Sequence, residues 1–334
     1  MNFYYMFIIQ GDEMDRLWDT YEEIREELEM IISLMDKNVR CKDKKIEKSI
    51  KELIHSGGKM LRPAFLIIAS HFGKYDKEKV RPLGAVMEML HMATLVHDDI
   101  IDDAKIRRGQ ETIQSKYGKD YAVYIGDYLF CVCFKILASS ASLESIEIDS
   151  NAMSRICLGE IDQMNSRFDK KLSVKDYLGR ISGKTAELFS LSLYLGAAES
   201  GCQKQLSRQF WRIGHNIGMA FQIIDDILDY TGNEELIKKS AEIDIKQGIF
   251  TIPFIYAANK NKNVFQGYLE KKNFSDKDIK EVILLVNEND GVEKARKLAD
   301  KYTSKAVKLI EKLPENPYKV ILKEITESLL IRKY

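Results

Sequence analysis

Apolar positions recur at three- and four-residue intervals along almost the whole chain. Leu17, Tyr21, Ile24, Leu28 and Ile31 form one such series, and Ile213, Ile217, Phe221, Ile224 and Leu228 another. This is the periodicity of helices, and no stretch sustains the period-two alternation of a half-buried strand. Prolines occur only at 63, 82, 253, 314 and 317, which leaves long stretches free to be helical. The pattern predicts helices near 14–36, 43–56, 60–72, 77–101, 120–141, 145–168, 173–200, 203–230, 250–259, 275–288, 290–312 and 316–331. Glycine-bearing breaks at 57–58, 73, 109, 118, 201, 232, 248 and 291 punctuate them. The segments 86–97, 121–138, 186–198 and 217–228 are apolar most of the way round, which places them inside a bundle, with the more charged ends 14–52 and 260–334 outside. No linker or low-complexity run divides the chain. The expected fold is all-α: a single large helical bundle over 14–334 around a central apolar cavity, with residues 1–13 a loose extension.

Composition narrows the function classes. A chain of 334 residues, 45% apolar and 31% charged, has the size and balance of a folded protein with a substantial core. Lys+Arg and Asp+Glu both number 51, so the net basic charge typical of a nucleic-acid surface is missing. The cysteines, at 41, 131, 133, 157 and 202, make no paired zinc spacing and suit a reducing cytoplasm. The apolar start MNFYYMFII is too short to span a membrane and lacks the basic flank of a signal peptide. These features predict a cytoplasmic protein with no nucleic-acid partner and no integral membrane segment.

Charge is concentrated in one repeated pattern. Asp98-Asp99-Ile-Ile-Asp102 recurs as Asp225-Asp226-Ile-Leu-Asp229, each near the C-terminal end of an apolar helix. Residues i and i+4 share a helix face, while i+1 is turned aside by about 100°. Each motif therefore aims two or three carboxylates at one point. Unneutralised, they would repel one another at the helix end least suited to negative charge. Hard divalent cations would resolve both conflicts, Mg²⁺ in particular, because it fills its shell with substrate phosphate and water. Two solvated helix ends are the plain alternative, and the duplication argues against it.

Basic residues stand at helix ends nearby in sequence. GGKMLRP (57–63) puts Lys59 and Arg62 after a Gly-Gly turn at a helix start, where backbone N–H groups favour anions. Arg107 and Arg108 follow the first aspartate motif, Lys184 falls in the SGKTAE break (182–187), and Lys239 lies beyond the second motif. Any one alone is an ordinary surface charge. Together with the carboxylates they are what a metal-and-diphosphate site requires.

With these blocks, the chain resembles the trans-isoprenyl diphosphate synthases, or polyprenyl synthetases, from about residue 14 to the end. GGKMLRP, EMLHMATLVHDDIIDDAKIRRG, GDYLF, GEIDQ, GKTAELF, GMAFQIIDDILDY and DIKQGIFTIP carry the resemblance in the family's order. It implies that Asp98, Asp99, Asp102, Asp225, Asp226 and Asp229 hold Mg²⁺, about three ions with substrate bound, on the diphosphate of an allylic substrate. Arg107, Lys184, Gln222 and Lys239 would grip that diphosphate. Lys59, Arg62, His91 and Arg108 would bind isopentenyl diphosphate, and Thr185 and Gln163 would line the site. It implies a homodimer, with a heteromer containing a small partner chain as the alternative, and a membrane-bound product. One block departs from the family: in KKSAEIDIKQGIFTIP, Lys238, Glu242 and Ile249 stand where glycine, glycine and lysine are common. Lys246 is the nearest substitute for the missing lysine.

Product length would be set below the first motif. Ala93 and Thr94, five and four residues before Asp98, are small where short-chain relatives commonly place an aromatic. The deeper floor candidates are Leu90, Met89 and, on the facing helix, Phe130 and Phe134. The expected product is hexa- to octaprenyl diphosphate for a quinone side chain; a farnesyl or geranylgeranyl product is the alternative. A class I terpene cyclase needs no second diphosphate pocket of the kind Lys59, Arg62 and Arg108 supply. A non-catalytic regulatory subunit would be expected to lose aspartates that this chain keeps. Neither a nucleophile elbow nor an HExxH stretch occurs, so no protein nucleophile is expected.

Overall fold

The computed structural model describes residues 17–107, 109–231 and 244–330. Residues 1–13, Arg108, Lys238, Lys239 and Glu242 lie outside the described residues. Contacts gather into two units, residues 1–147 with 192–207, and 148–191 with 208–334.

The first unit contains α1 (Glu22–Asn38), α2 (Lys44–Ile54), α3 (Leu61–Ser70), α4 (Lys77–Ile101), the strands β1 (Ile106–Arg107) and β2 (Gln110–Glu111), α5 (Ile113–Tyr117) and α6 (Lys119–Ser140). Helix α4 runs where its periodicity places it. Asp76 caps its start by accepting from the Glu78 N–H, and Asp43 does the same for α2. Its interior is apolar on nearly every face and buried from Leu83 to Leu90, which fits the all-round greasy pattern. Arg81 forks onto both carboxylate oxygens of Glu27 on α1, at 2.7 and 2.9 Å, and that bond holds the Glu27 carboxyl below its usual range.

Helix α6 packs along α4, and Gly126 makes the approach possible. A Cβ there would sit 2.4 Å from the His97 ring. The opposite face of α6 is bare: Tyr124 is 75% exposed and Phe134 50%. The expectation that 121–138 is enclosed on all sides is therefore corrected. Mean apolarity identifies a greasy helix but not which of its faces its own chain covers. It is also the helix among the described residues long and apolar enough to cross a membrane by length and composition.

The second unit holds α8 (Val174–Ile181), a π-helical turn (Ser182–Ala186), α11 (Ile252–Lys260), α12 (Lys262–Leu269), α13 (Asp276–Glu288), α14 (Gly291–Ile310) and α15 (Pro317–Leu330). Helices α7 (Leu143–Asn165), α9 (Glu187–Glu199) and α10 (Lys204–Thr231) contribute residues to each unit. Within the second unit α10 lies close to α9, since a Cβ on Gly214 would fall 2.4 Å from the Phe189 carbonyl. Short helices α5 and α12 escape the sequence pattern because five and eight residues give too little period to read. The β-structure among the described residues is one two-residue pairing, Ile106 with Glu111 and Arg107 with Gln110.

Asp149 on α7 is 1% exposed and neither carboxylate oxygen has a hydrogen-bond partner. Burial alone pushes it up to about 7. A folded value above the unfolded one means stability is fully present below about pH 4 and is lost as pH rises through about 7. Relative to Asp149→Asn, the native chain should lose about 2–4 kcal/mol between pH 4 and 8. Urea unfolding of both proteins across that range measures it; parallel profiles would show that the carboxyl is not desolvated.

Candidate active site

The first motif closes α4. Asp99 is 4% exposed, while Asp98 and Asp102, one turn apart, stay partly exposed. Arg107 donates from Nε to Asp99 Oδ1 at 2.7 Å. The chain reaches that position by a hairpin: after Asp103 in left-handed backbone (φ 50°), β1 and β2 pair around Gly109 (φ 76°), a conformation glycine adopts without strain. Thr112 Oγ1 and Gln114 Nε2 both donate to the Ala104 carbonyl at 2.7 Å and pin the hairpin's base. Burial raises the Asp99 carboxyl and Arg107 opposes it, with burial the larger effect. Asp103 pairs with Lys119 at 3.1 Å and Lys105 at 3.5 Å, which gives it a helix-end role. A small cleft beside Asp99 and Arg107 is lined by Leu53, Leu95, Val96, Ile113 and Lys116 among others.

The GGK turn precedes α3. Gly57 (φ 80°) and Met60 (φ 46°) both take left-handed backbone, and the buried Trp18 donates its indole N–H to the Lys59 carbonyl at 2.9 Å. The turn is thus held by its backbone, with the Lys59 and Arg62 side chains partly exposed. On α4, His91 is partly exposed and its carbonyl accepts from Thr94 Oγ1 at 2.7 Å. Leu90, Met89 and Ala93 are buried, and Thr94 is partly exposed. Phe130 lies with its ring 5.5 Å from His97, while Phe134 faces outward.

The second motif lies on α10. Asp226 is 5% exposed, whereas Asp225 is exposed and Asp229 partly so. Tyr177 OH donates to Asp226 Oδ2 at 2.6 Å and Gln222 Nε2 to Oδ1 at 2.8 Å. Thr185 Oγ1 donates in turn to Gln222 Oε1 at 2.7 Å. Burial, the largest effect, pushes Asp226 up to about 7 despite these two donors, and the neighbouring Asp244 and Asp225 add to the rise.

Lys184 and Thr185 sit on a π turn, not in a break. The chain stays helical from α8 through to α9, so the expected helix over 173–200 holds, with the extra residue of a π turn in place of the break read at SGKTAE. Two glycines let this turn touch α7: a Cβ on Gly159 would be 3.0 Å from the Lys184 nitrogen, and one on Gly183 would be 2.9 Å from the Arg155 carbonyl. Glu160, next to Gly159, meets the Lys184 ammonium at 2.9 and 3.0 Å. Arg155 pairs with the buried Glu187 below it. Gln163 on α7 is partly exposed. Ile249 is buried, and Lys246 pairs with Asp276 at 3.0 Å on the surface. Sequence reasoning missed Glu160, Tyr177, Arg180, Thr112 and Gln114. Of these, only Glu160 stands in a quoted block.

Lys184 should be held by Glu160. Glu160→Gln is expected to make Lys184 several-fold more reactive toward an amine-acylating reagent, read by peptide mass spectrometry; an unchanged rate would remove the ion pair from the description.

The polyprenyl synthetase family model matches residues 43–286. The heptaprenyl diphosphate synthase component 2 of Geobacillus stearothermophilus is 32% identical over 314 residues, covering 94% of this chain and 98% of the relative. Among solved structures, a geranylgeranyl pyrophosphate synthase from Lactobacillus brevis superposes with a TM-score of 0.91 at 35% identity, covering 95% of this chain and 99% of that one. A polyprenyl synthase from Caulobacter crescentus, crystallised with calcium and isoprenyl diphosphate, superposes with a TM-score of 0.88 at 28% identity, covering 98% of this chain and all of that one (100%). The helical fold, the ordered motifs and these likenesses agree, and the chain belongs to the polyprenyl synthetase family of prenyltransferases.

Proposed function

We propose that this prenyltransferase condenses isopentenyl diphosphate with an allylic diphosphate to give a long all-trans polyprenyl diphosphate, hexa- to octaprenyl, for a quinone side chain. The observation that carries the reading is the common design of the two motifs. In each, the middle aspartate is buried against protein donors, and the first and last keep their carboxylates accessible one turn apart. The enzyme is read as one domain over 14–334, cytoplasmic and homodimeric.

Asp98, Asp102, Asp225 and Asp229 would hold divalent cations, with Asp99 and Asp226 fixing their helices from inside. The donors fit Mg²⁺: all are hard carboxylate oxygens, with no sulfur or imidazole among them. Among the described residues no three acidic, histidine or cysteine side chains are grouped to hold a metal ion. The two or three carboxylates expected to converge at each motif are therefore not grouped, because the middle aspartate of each turns inward to protein donors. Bound Mg²⁺ supplies Lewis-acid neutralisation of the charge that grows on the departing diphosphate.

The chain's own residues do the rest. Arg107, Lys184, Gln222 and Lys239 would grip the allylic diphosphate, offering positive charge and N–H donors to the negative charge that develops as its C–O bond breaks. Lys59, Arg62, His91 and Arg108 hold isopentenyl diphosphate so that its alkene faces the allylic carbon. Apolar walls exclude water from the allylic cation. A proton then leaves the new C–C unit for the released diphosphate. Ala93 and Thr94 would leave the elongation path open, with Leu90 and Phe130 as the stops beyond; Phe134, expected as a further stop, is turned outward on α6 and is not one.

A second reading has a specific observation behind it. A relative is named as component 2 of a heptaprenyl diphosphate synthase, which favours this chain as the catalytic subunit of a heteromer with a small partner. Gel filtration of the pure protein with a parallel activity assay separates the two, since a heteromeric subunit is inactive alone.

Supplied with isopentenyl diphosphate, Mg²⁺ and farnesyl or geranylgeranyl diphosphate, the enzyme should yield products longer than the primer, sized by chromatography. No elongation from any primer, with the small subunit absent or added, overturns the assignment. Ala93→Phe should shift the product distribution toward shorter chains; an unchanged distribution removes Ala93 from the elongation path.

A further inference from the structure

Tyr177 is a buried tyrosine of the second unit that no block of the sequence singles out. It sits in the middle of α8, whose start is capped by Ser173 accepting from the Asp176 N–H. Its side chain is immobilised from both ends. The Arg180 guanidinium lies 5.6 Å from the ring centroid, and Arg180 is itself tied to Ser166 Oγ at 2.7 Å and the Phe250 carbonyl at 3.2 Å. At the other end the hydroxyl reaches Asp226 Oδ2 at 2.6 Å.

The direction of the hydrogen bonds matters. Thr185 donates to Gln222, Gln222 donates to Asp226, and Tyr177 donates to Asp226 from the opposite side. Every bond in the string points toward one carboxylate, and both its oxygens are engaged within the protein. Asp226 therefore serves as a peg that joins α10 to α8 and, through Gln222, to the π turn. Asp225 and Asp229 project from the same helix, turned from Asp226 by about 100° and about 60° to the same side. The roll of α10 about its axis sets where those two carboxylates point, and the two bonds that leave the helix, Tyr177 to Asp226 and Thr185 to Gln222, fix that roll.

We propose that Tyr177 is a positioning residue: its hydroxyl holds Asp226 and thereby sets the aim of Asp225 and Asp229, and the register of Gln222 with Thr185, toward the metal-bound diphosphate. This rests on the function proposed above. Without the hydroxyl, a buried carboxylate oxygen loses its donor, a loss large enough to turn or neutralise the group.

The test uses the full chain and the variants Tyr177→Phe, Asp226→Asn and the double. Mg²⁺-dependent binding of inorganic pyrophosphate is measured by calorimetry beside steady-state elongation. Tyr177→Phe should weaken pyrophosphate binding about tenfold and lower kcat by a similar factor, the loss typical of one hydrogen bond to a charged group. KM for isopentenyl diphosphate should stay within about twofold, because its ligands lie elsewhere. The double variant should bind pyrophosphate no more weakly than Asp226→Asn alone, a comparison that holds even where Tyr177→Phe folds poorly. Native-level pyrophosphate binding by Tyr177→Phe, whatever its thermal midpoint, or additive losses in the double, overturns the proposal. A native protein that neither elongates nor binds Mg²⁺-pyrophosphate instead overturns the proposed function.

Discussion

Three carboxylates within five residues are costly at the end of a helix, and the surroundings of both motifs are arranged around that cost. Like charges one turn apart repel, and the helix dipole opposes them at the C-terminal end. In each motif the middle carboxylate is withdrawn from water and matched by protein donors, while the outer pair stays at least partly exposed. The two solutions differ in kind. Asp99 is met by a cation, which demands a hairpin to bring Arg107 back over the end of α4. Asp226 is met by neutral donors on α8 and α10, which demands that two helices be held in register. A loop carries the first solution and helix packing the second.

Glycines allow close approach where the candidate site residues lie. Gly126 admits the His97 ring one residue before Asp98, and Gly159 and Gly183 bring α7 onto the π turn that carries Lys184. A side chain at Gly159 or Gly183 would meet backbone at 3.0 and 2.9 Å and force it to give by a few tenths of an ångström, and one at Gly126 would displace the His97 ring. Close packing and the ion pair thus fall at neighbouring positions: Gly159 lies against the Lys184 backbone, and Glu160 beside it meets the Lys184 ammonium.

Much of this was legible in the sequence. Periodicity located α4 and α10 to within a residue, since each is long and amphipathic or greasy over many turns. The aspartates, the GGK turn and Lys184 were found by type and spacing. What was not legible came from side chains that meet across large separations: Tyr177 with Asp226 over 49 residues, and Glu160 with Lys184 over 24. A tyrosine on an amphipathic face reads as core, and nothing local marks its hydroxyl as a donor. The π turn was misread as a break because glycine signals one, and no periodicity test separates an extra residue inside a helix from a gap between two. The bare face of α6 was missed for a related reason, because coverage depends on tertiary neighbours and not on the helix's own composition.

Asp149 and Asp226 show why perturbed acidity alone does not find a site. Burial pushes both carboxyls up to about 7. Asp149 has no donor on either oxygen, and its carboxyl organises nothing around it. Asp226 has a donor on each, one held by a cation over its ring and the other held by a threonine beside Lys184. The same desolvation therefore marks an isolated liability on α7 and the hub of a network on α10. What distinguishes them is where the hydrogen bonds lead: from Asp226 they run, in two steps, to Thr185, the residue next to the lysine proposed to grip the diphosphate.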